Sequence, residues 1–177
     1  MLDESFGIEW GLLTTVHAAT SSQAILDGFS KKSKRLGRGL MGNLIPTSTG
    51  ASEAVQLVYP NLAGKFKGMS LRVPVSNVSM IDLTVTLSRP ANSIDELLAP
   101  MREAAKGRLG GILTVVDQEL VSSDFLGYPQ STIIDAPATI MLSPTVFKII
   151  AYYDNEWGYS CRVLDLIAHM HDVDSAV

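Results

Sequence analysis

The feature that most restricts the fold is a run of strand-like segments, several of which follow one another with no helix between them. The clearest is Val78 to Leu87. There Met80, Asp82, Thr84 and Thr86 alternate with Ile81, Leu83, Val85 and Leu87. That period of two is the pattern of a half-buried strand. Gly11–His17, Gly68–Pro74, Ser131–Asp135, Ala138–Leu142 and Thr145–Tyr153 carry similar β-branched and apolar runs. Parallel neighbours need a long crossover, whereas antiparallel neighbours need only a turn. The pattern therefore predicts an α+β fold: a largely antiparallel mixed sheet with helices packed on one face.

Three helices are predicted. Ala51 to Tyr59 follows a hydroxyl-rich stretch suited to an N-cap, and Pro60 ends it. Ser93-Ile-Asp-Glu96 is a capping-box pattern. It opens a helix with Ile94, Leu97, Leu98, Met101, Ala104 and Ala105 on one face, which Pro100 is expected to kink. A last helix spans about 156–171, with Val163, Leu166, Ile167 and Met170 at helical spacing. Residues 20–43 are rich in Ser, Gly, Lys and Arg and read as a long loop.

The 177 residues suffice for one domain with a sizeable core, and no repeat or low-complexity linker divides them. With 46% apolar and 18% charged residues, the composition is that of a soluble globular chain. A net charge of −4 gives no general attraction to nucleic acid or anionic lipid. No apolar run is long enough to span a bilayer, and the acidic start does not read as a signal peptide. Cys161 is the single cysteine, which suits a reducing, cytoplasmic compartment. No G-x-G-x-x-G stands directly after a first strand to open a helix, and no metal-ligand cluster is evident.

Several residues could carry chemistry. His17 ends an apolar strand beside a polar loop, as a general base would, or as a histidine capping a strand end. Thr20 and Ser22 form one hydroxyl cluster; Thr47, Ser48, Thr49 and Gly50 form another at a helix N-terminus. Such clusters suit a phosphate cradle or ordinary capping. Arg35, Arg38 and Arg72 are cationic partners for an anion, and Arg72 stands inside an apolar strand. A buried arginine needs an anionic partner, either an internal carboxylate or a ligand. Asn155 and Tyr159 lie in Tyr153-Asp-Asn-Glu-Trp-Gly-Tyr159, where Asp154 or Asn155 could cap the last helix. Cys161 sits inside a predicted helix and reads as a small buried hydrophobe.

Together these segments resemble the glyceraldehyde-3-phosphate dehydrogenase family. The matching motifs are Phe6-Gly-Ile-Glu9, Gly11-Leu-Leu-Thr-Thr-Val-His-Ala18, Asn43-Leu-Ile-Pro-Thr-Ser-Thr-Gly-Ala51, Arg72-Val-Pro74, Asp82-Leu-Thr-Val85, Val121-Ser-Ser-Asp-Phe125 and Tyr153-Asp-Asn-Glu-Trp-Gly-Tyr-Ser160. They stand in family order and cover essentially the whole chain. The resemblance implies that His17 is the catalytic histidine. Thr20 and Arg72 would hold the substrate's phosphate, and Thr49 and Gly50, with Arg72 nearby, would hold inorganic phosphate. Asn155 would contact the nicotinamide carboxamide, with Tyr159 packed beside it. Residues 20–43 would be the S-shaped loop of a homotetramer. The sequence departs from the family in Ala19, Tyr152, Lys34 and Leu36.

The resemblance also implies a catalytic domain without its N-terminal Rossmann domain and without the Ser-Cys-Thr-Thr-Asn-Cys segment, both expected upstream of Met1. The full-length parent would be cytoplasmic and would oxidise glyceraldehyde 3-phosphate with inorganic phosphate and NAD or NADP. The residues that select the cofactor would lie in the missing half. The isolated chain is expected to be inactive and to bind no cofactor tightly. Two alternatives remain at this point: a non-catalytic anion-binding or interaction protein of the same fold, and an erythrose-4-phosphate dehydrogenase.

Overall fold

The computed structural model of the protein describes residues 1–175, with residue 52 described by its backbone alone. Its elements, in chain order, are α1 (Leu2–Phe6), β1 (Ile8–His17), β2 (Ile45–Thr47), α2 (Ala51–Val58), β3 (Phe66–Arg72), β4 (Ser79–Leu87), α3 (Ile94–Lys106), β5 (Leu113–Val116), β6 (Thr132–Ser143), β7 (Val146–Tyr153) and α4 (Trp157–Ser175). The seven strands form one sheet in the order β2-β3-β1-β4-β7-β6-β5. Two pairs, β1 with β3 and β5 with β6, run parallel; the others run antiparallel. The α+β reading and the mixed, largely antiparallel sheet are what the molecule adopts.

The core sits on one face of this sheet. Ile8, Phe66, Val85, Leu87, Ile134, Phe147, Ile149 and Ala151 from the strands meet Leu97, Leu98, Met101 and Ala104 from α3, together with Phe6 from α1. Leu97 and Leu98 are fully buried. Burying one such side chain contributes about 1.5–3 kcal/mol, so this seam holds α3 to the sheet. Gly11 is required where it stands. A Cβ there would lie 2.4 Å from the Phe66 ring that packs over it.

The helix expected from Ser93 is present: α3 runs from Ile94 to Lys106 with Pro100 inside it and its buried face on the core. The predicted and observed elements differ at β6 and at three short elements. The two strands expected at Ser131–Asp135 and Ala138–Leu142 are one strand, β6, with a register shift between Asp135 and Ile140. Pro137 falls inside that irregularity, where its missing N–H costs no ladder bond. Asp135 closes the bend, its Oδ1 accepting from Ala138 N at 2.9 Å and its carbonyl accepting from Thr139 Oγ1 at 2.8 Å. Finally, β2, β5 and α1 were not anticipated: each is only three to five residues long.

Between His17 and Ile45 the chain is loop, apart from one turn of 3-10 helix at Arg35–Gly37. Asp27 organises it, accepting from Gly39 N at 2.8 Å and from Arg38 Nε at 2.9 Å. Arg38 is thereby paired within the loop.

Candidate functional site

The parallel pairing of β1 with β3 sets His17 directly beside Arg72, each the last residue of its strand. Both are half-buried. Arg72 Nη1 lies 2.7 Å from His17 Nδ1 and donates to the Ala18 carbonyl at 3.2 Å. The Arg72 Nε is buried and has no hydrogen-bond partner among the described residues. Among the described residues no carboxylate pairs with Arg72 within salt-bridge distance. Burial holds the pKa of Arg72 below the usual arginine value, because nothing nearby compensates its charge fully. Burial likewise lowers the pKa of His17. The Ala18 carbonyl opposes that shift, and the Arg72 charge adds to it. The imidazole is therefore held neutral at pH 7, the state a base requires.

Ser79, fully buried at the start of β4, ties the strand ends together. Its Oγ accepts from Ala18 N at 3.1 Å and donates to Asn155 Oδ1 at 2.9 Å. Tyr153 presents its ring edge-on to His17, with centroids 6.3 Å apart. With its oxygen engaged, the Asn155 amide has its NH2 left to donate. The residue before Ser79 is strained: Val78 has φ +66°, a conformation that costs a β-branched residue about 1–3 kcal/mol.

Asp154 caps α4, accepting from Glu156 N and Trp157 N at 3.0 and 2.8 Å. Asn155 is thus released from capping. Tyr159 lies in the first turn of α4 and is largely exposed. Cys161 is partly exposed on the same helix.

The hydroxyl clusters face one another across a cavity of about 650 Å³, lined by Ser21, Ser22, Gln23, Thr47, Ser48 and Arg72 among others. Lys31 and Lys32 from the loop close its outer side. Thr20 braces this wall, with Oγ1 bonded to Ser22 Oγ and Gln23 Oε1, both at 2.9 Å. Thr49 and Gly50 stand one step back. Gly50, not a hydroxyl residue, occupies the N-cap position of α2, and Thr49 Oγ1 accepts from Ala51 N at 3.2 Å. The cavity wall is cationic and hydroxyl-rich, as suits a phosphate group. Arg35 lies over a neighbouring depression with Thr47 and Ser48.

His17, Arg72 and Asn155 are therefore linked through Ala18 and Ser79, while Tyr159 makes no contact with them in the described hydrogen bonds. Ser79 and Tyr153 were not singled out from sequence. A serine opening a strand gives no local signal, and Ser79 matters only through partners 61 and 76 positions away in the chain.

Comparison with known proteins gives one answer. Residues 1–155 match the family described as glyceraldehyde 3-phosphate dehydrogenase, C-terminal domain. The chain is 51% identical over 170 residues to a cytosolic glyceraldehyde-3-phosphate dehydrogenase of Chlamydomonas reinhardtii, covering 96% of this chain and 50% of that protein. It is 52% identical over 174 residues to cytosolic glyceraldehyde-3-phosphate dehydrogenase 3 of Oryza sativa subsp. japonica, covering 98% and 51% respectively. A Mastigamoeba balamuthi glyceraldehyde-3-phosphate dehydrogenase is 51% identical over 169 residues, covering 96% and 50%. The chain spans about half the length of the curated relatives it matches.

Proposed function

We infer the function from one premise: this chain belongs to the glyceraldehyde 3-phosphate dehydrogenase family, as its C-terminal catalytic domain. On that premise it supplies the base and the phosphate-binding groups of a phosphorylating aldehyde dehydrogenase. The overall reaction oxidises an aldehyde to an acyl phosphate, consuming NAD or NADP and inorganic phosphate. The single observation that carries this reading is Arg72: a half-buried guanidinium at a hydroxyl-lined cavity, with a buried Nε unpartnered and no carboxylate partner among the described residues. A cation so placed is completed by an anionic ligand.

Each residue then has a defined task. Arg72, with Thr20 and the neighbouring hydroxyls, holds the phosphate of glyceraldehyde 3-phosphate, so that the aldehyde carbon is fixed relative to His17. Thr49 and Gly50 at the start of α2 hold the attacking inorganic phosphate. His17, kept neutral by burial and by Arg72, accepts and returns the reacting proton. NAD or NADP takes up hydride when bound. The free NH2 of Asn155 suits it as donor to the nicotinamide carboxamide, with Tyr159 beside it.

The nucleophilic thiol and the Rossmann domain that holds the cofactor belong to an upstream half of a full-length, homotetrameric, cytoplasmic parent. Residues 20–43 form its S-shaped loop. The 177-residue chain alone is therefore expected to be inactive. Two measurements test this. Calorimetric titration with inorganic phosphate and glyceraldehyde 3-phosphate should show weak, saturable binding that Arg72→Ala abolishes. A steady-state assay of the same protein should show no NAD reduction. Absence of anion binding would refute the phosphate pocket, and robust turnover would refute the need for an upstream half.

A further inference from the structure

At the ends of β1 and β3 three polar atoms crowd together. His17 Nδ1 lies 2.7 Å from Arg72 Nη1 and 2.9 Å from the Ala18 carbonyl oxygen, and Arg72 Nη1 is also 3.2 Å from that oxygen. These contacts place opposite demands on the ring. A guanidinium offers only hydrogens, so its contact with Nδ1 requires a lone pair there, and the ring proton must sit on Nε2. A carbonyl offers only lone pairs, so its contact with Nδ1 requires a proton there, which leaves the Nε2 lone pair open. One nitrogen cannot satisfy both.

The two competitors differ in how firmly they are held. Ala18 is fully buried, and its N–H is anchored to Ser79 Oγ at 3.1 Å. Arg72 has no carboxylate partner among the described residues, and its Nε is unpartnered. Arg72 is the member free to move, and it is also the one that lines the anion cavity.

We propose that the cavity and the base form a coupled switch, in which a phosphate or phosphate monoester seated on Arg72 draws its guanidinium off His17 Nδ1 and converts the ring from the Nε2–H to the Nδ1–H tautomer. In the new state Nδ1–H donates to the Ala18 carbonyl, and Nε2 is free to accept a proton. The ring stays neutral throughout. One proton leaves Nε2 for water, one enters Nδ1 from water, and nothing is oxidised. This rests on the reading of Arg72 as an anion contact and extends it, since the substrate's own phosphate would switch on the base that acts on its aldehyde. An aldehyde without phosphate would then meet a histidine in the wrong tautomer as well as an empty cavity.

The charges around the ring agree. Arg72, from β3, is the charged group acting on His17. Tyr153, from β7, presents its ring edge-on to His17 and is a neutral phenol at pH 7, its pKa pushed further up by burial. Ser79, from β4, carries no charge. Burial lowers the proton affinity of His17, the Ala18 hydrogen bond raises it, and the Arg72 charge lowers it. An anion that neutralises Arg72 leaves the Ala18 bond in control.

Long-range proton–nitrogen NMR of the imidazoles tests this on the chain as it stands. His169→Gln and His171→Gln, both on exposed positions of α4, leave His17 as the sole histidine. Without anion, Nε2 should show the protonated-nitrogen shift. With saturating inorganic phosphate the two nitrogen shifts should exchange, and the His17 pKa should move upward. Arg72→Gln should show the Nδ1–H form with no phosphate present. Should that variant fail to fold, Arg72→Met, which keeps an extended side chain but offers Nδ1 no donor, should show the same. A ring that stays in the Nε2–H form in a folded Arg72 variant overturns the switch. Phosphate that perturbs the Arg72 Nε–H signal but not the His17 tautomer overturns the coupling and leaves the anion site standing. Phosphate that perturbs neither overturns both.

Discussion

Asp154 and Asn155 are adjacent and chemically similar, yet they do unrelated things. Asp154 collects four donors: Asn77 Nδ2, Glu156 N and Trp157 N on one oxygen, Gly127 N on the other. Burial pushes its pKa up, but the hydrogen bonds from Trp157, Gly127, Asn77 and Glu156 prevail and hold it below the usual value. A depressed carboxylate stabilises the fold fully above its unfolded pKa, about 3.9, and that contribution fades as pH falls from there toward the folded value. Asp154→Ala should cost about 2–4 kcal/mol at pH 7, because it orphans several donors at once. Urea unfolding at pH 7 and pH 3 should show that difference shrinking in acid. An equal cost at both values would mean that the charge is not what matters. The sequence could offer either residue as the cap of α4. The choice turns on Asn77 and Ser79, which reach this turn from β4 and the residues before it, and no local pattern carries that information. His17 and Arg72 illustrate the same limit. Each was legible as a candidate, but their contact depends on the parallel register of β1 and β3.

Elements defined by local chemistry were read correctly, and elements defined by their neighbours were not. The start of α3 belongs to the first kind. Ser93 Oγ accepts from Glu96 N at 3.0 Å, as the capping-box pattern requires. The return bond differs slightly, since Glu96 Oε2 accepts from Asn92 N at 2.8 Å instead of from Ser93 N. Ser93→Ala should therefore cost about 1 kcal/mol, and Ser93→Gly only a few tenths. Thermal or urea unfolding resolves that difference, and equal stability of wild type and Ser93→Ala would show the cap to be idle. β6 belongs to the second kind. Pro137 argues locally for two strands, but a bulge absorbs the proline and the ladder with β7 resumes beyond it. The short strands β2 and β5 are too brief to show a period; they exist because β3 and β6 offer them an edge.

Taken as a whole, the molecule has one region whose sequence pattern and surroundings disagree. In α4 Val163, Leu166, Ile167 and Met170 recur at helical spacing, a stripe that normally faces a core. Yet Leu166, Ile167 and Met170 are 56%, 57% and 56% exposed, and among the described residues α4 buries only Gly158. Anchorage is confined to its first turns. Arg162 Nη1 donates to the Pro129 carbonyl and to Ser131 Oγ, both at 3.1 Å, and the Asp154 cap holds the entry. Beyond Arg162 the helix rests on its intrinsic propensity, which is marginal in water at this length. Residues 164–175 should therefore exchange amide hydrogens far faster than β4 and β7. Deleting residues 164–177 should leave the cooperative transition almost where it was, with Tm moving by less than about 3 °C, since little apolar area is lost from the folded state. Hydrogen exchange read by mass spectrometry and calorimetry of the shortened chain measure both effects. A fall in Tm of about 10 °C or more, or slow exchange along the whole helix, would mean that the apolar stripe of α4 is buried in solution against some surface of this chain or a second copy.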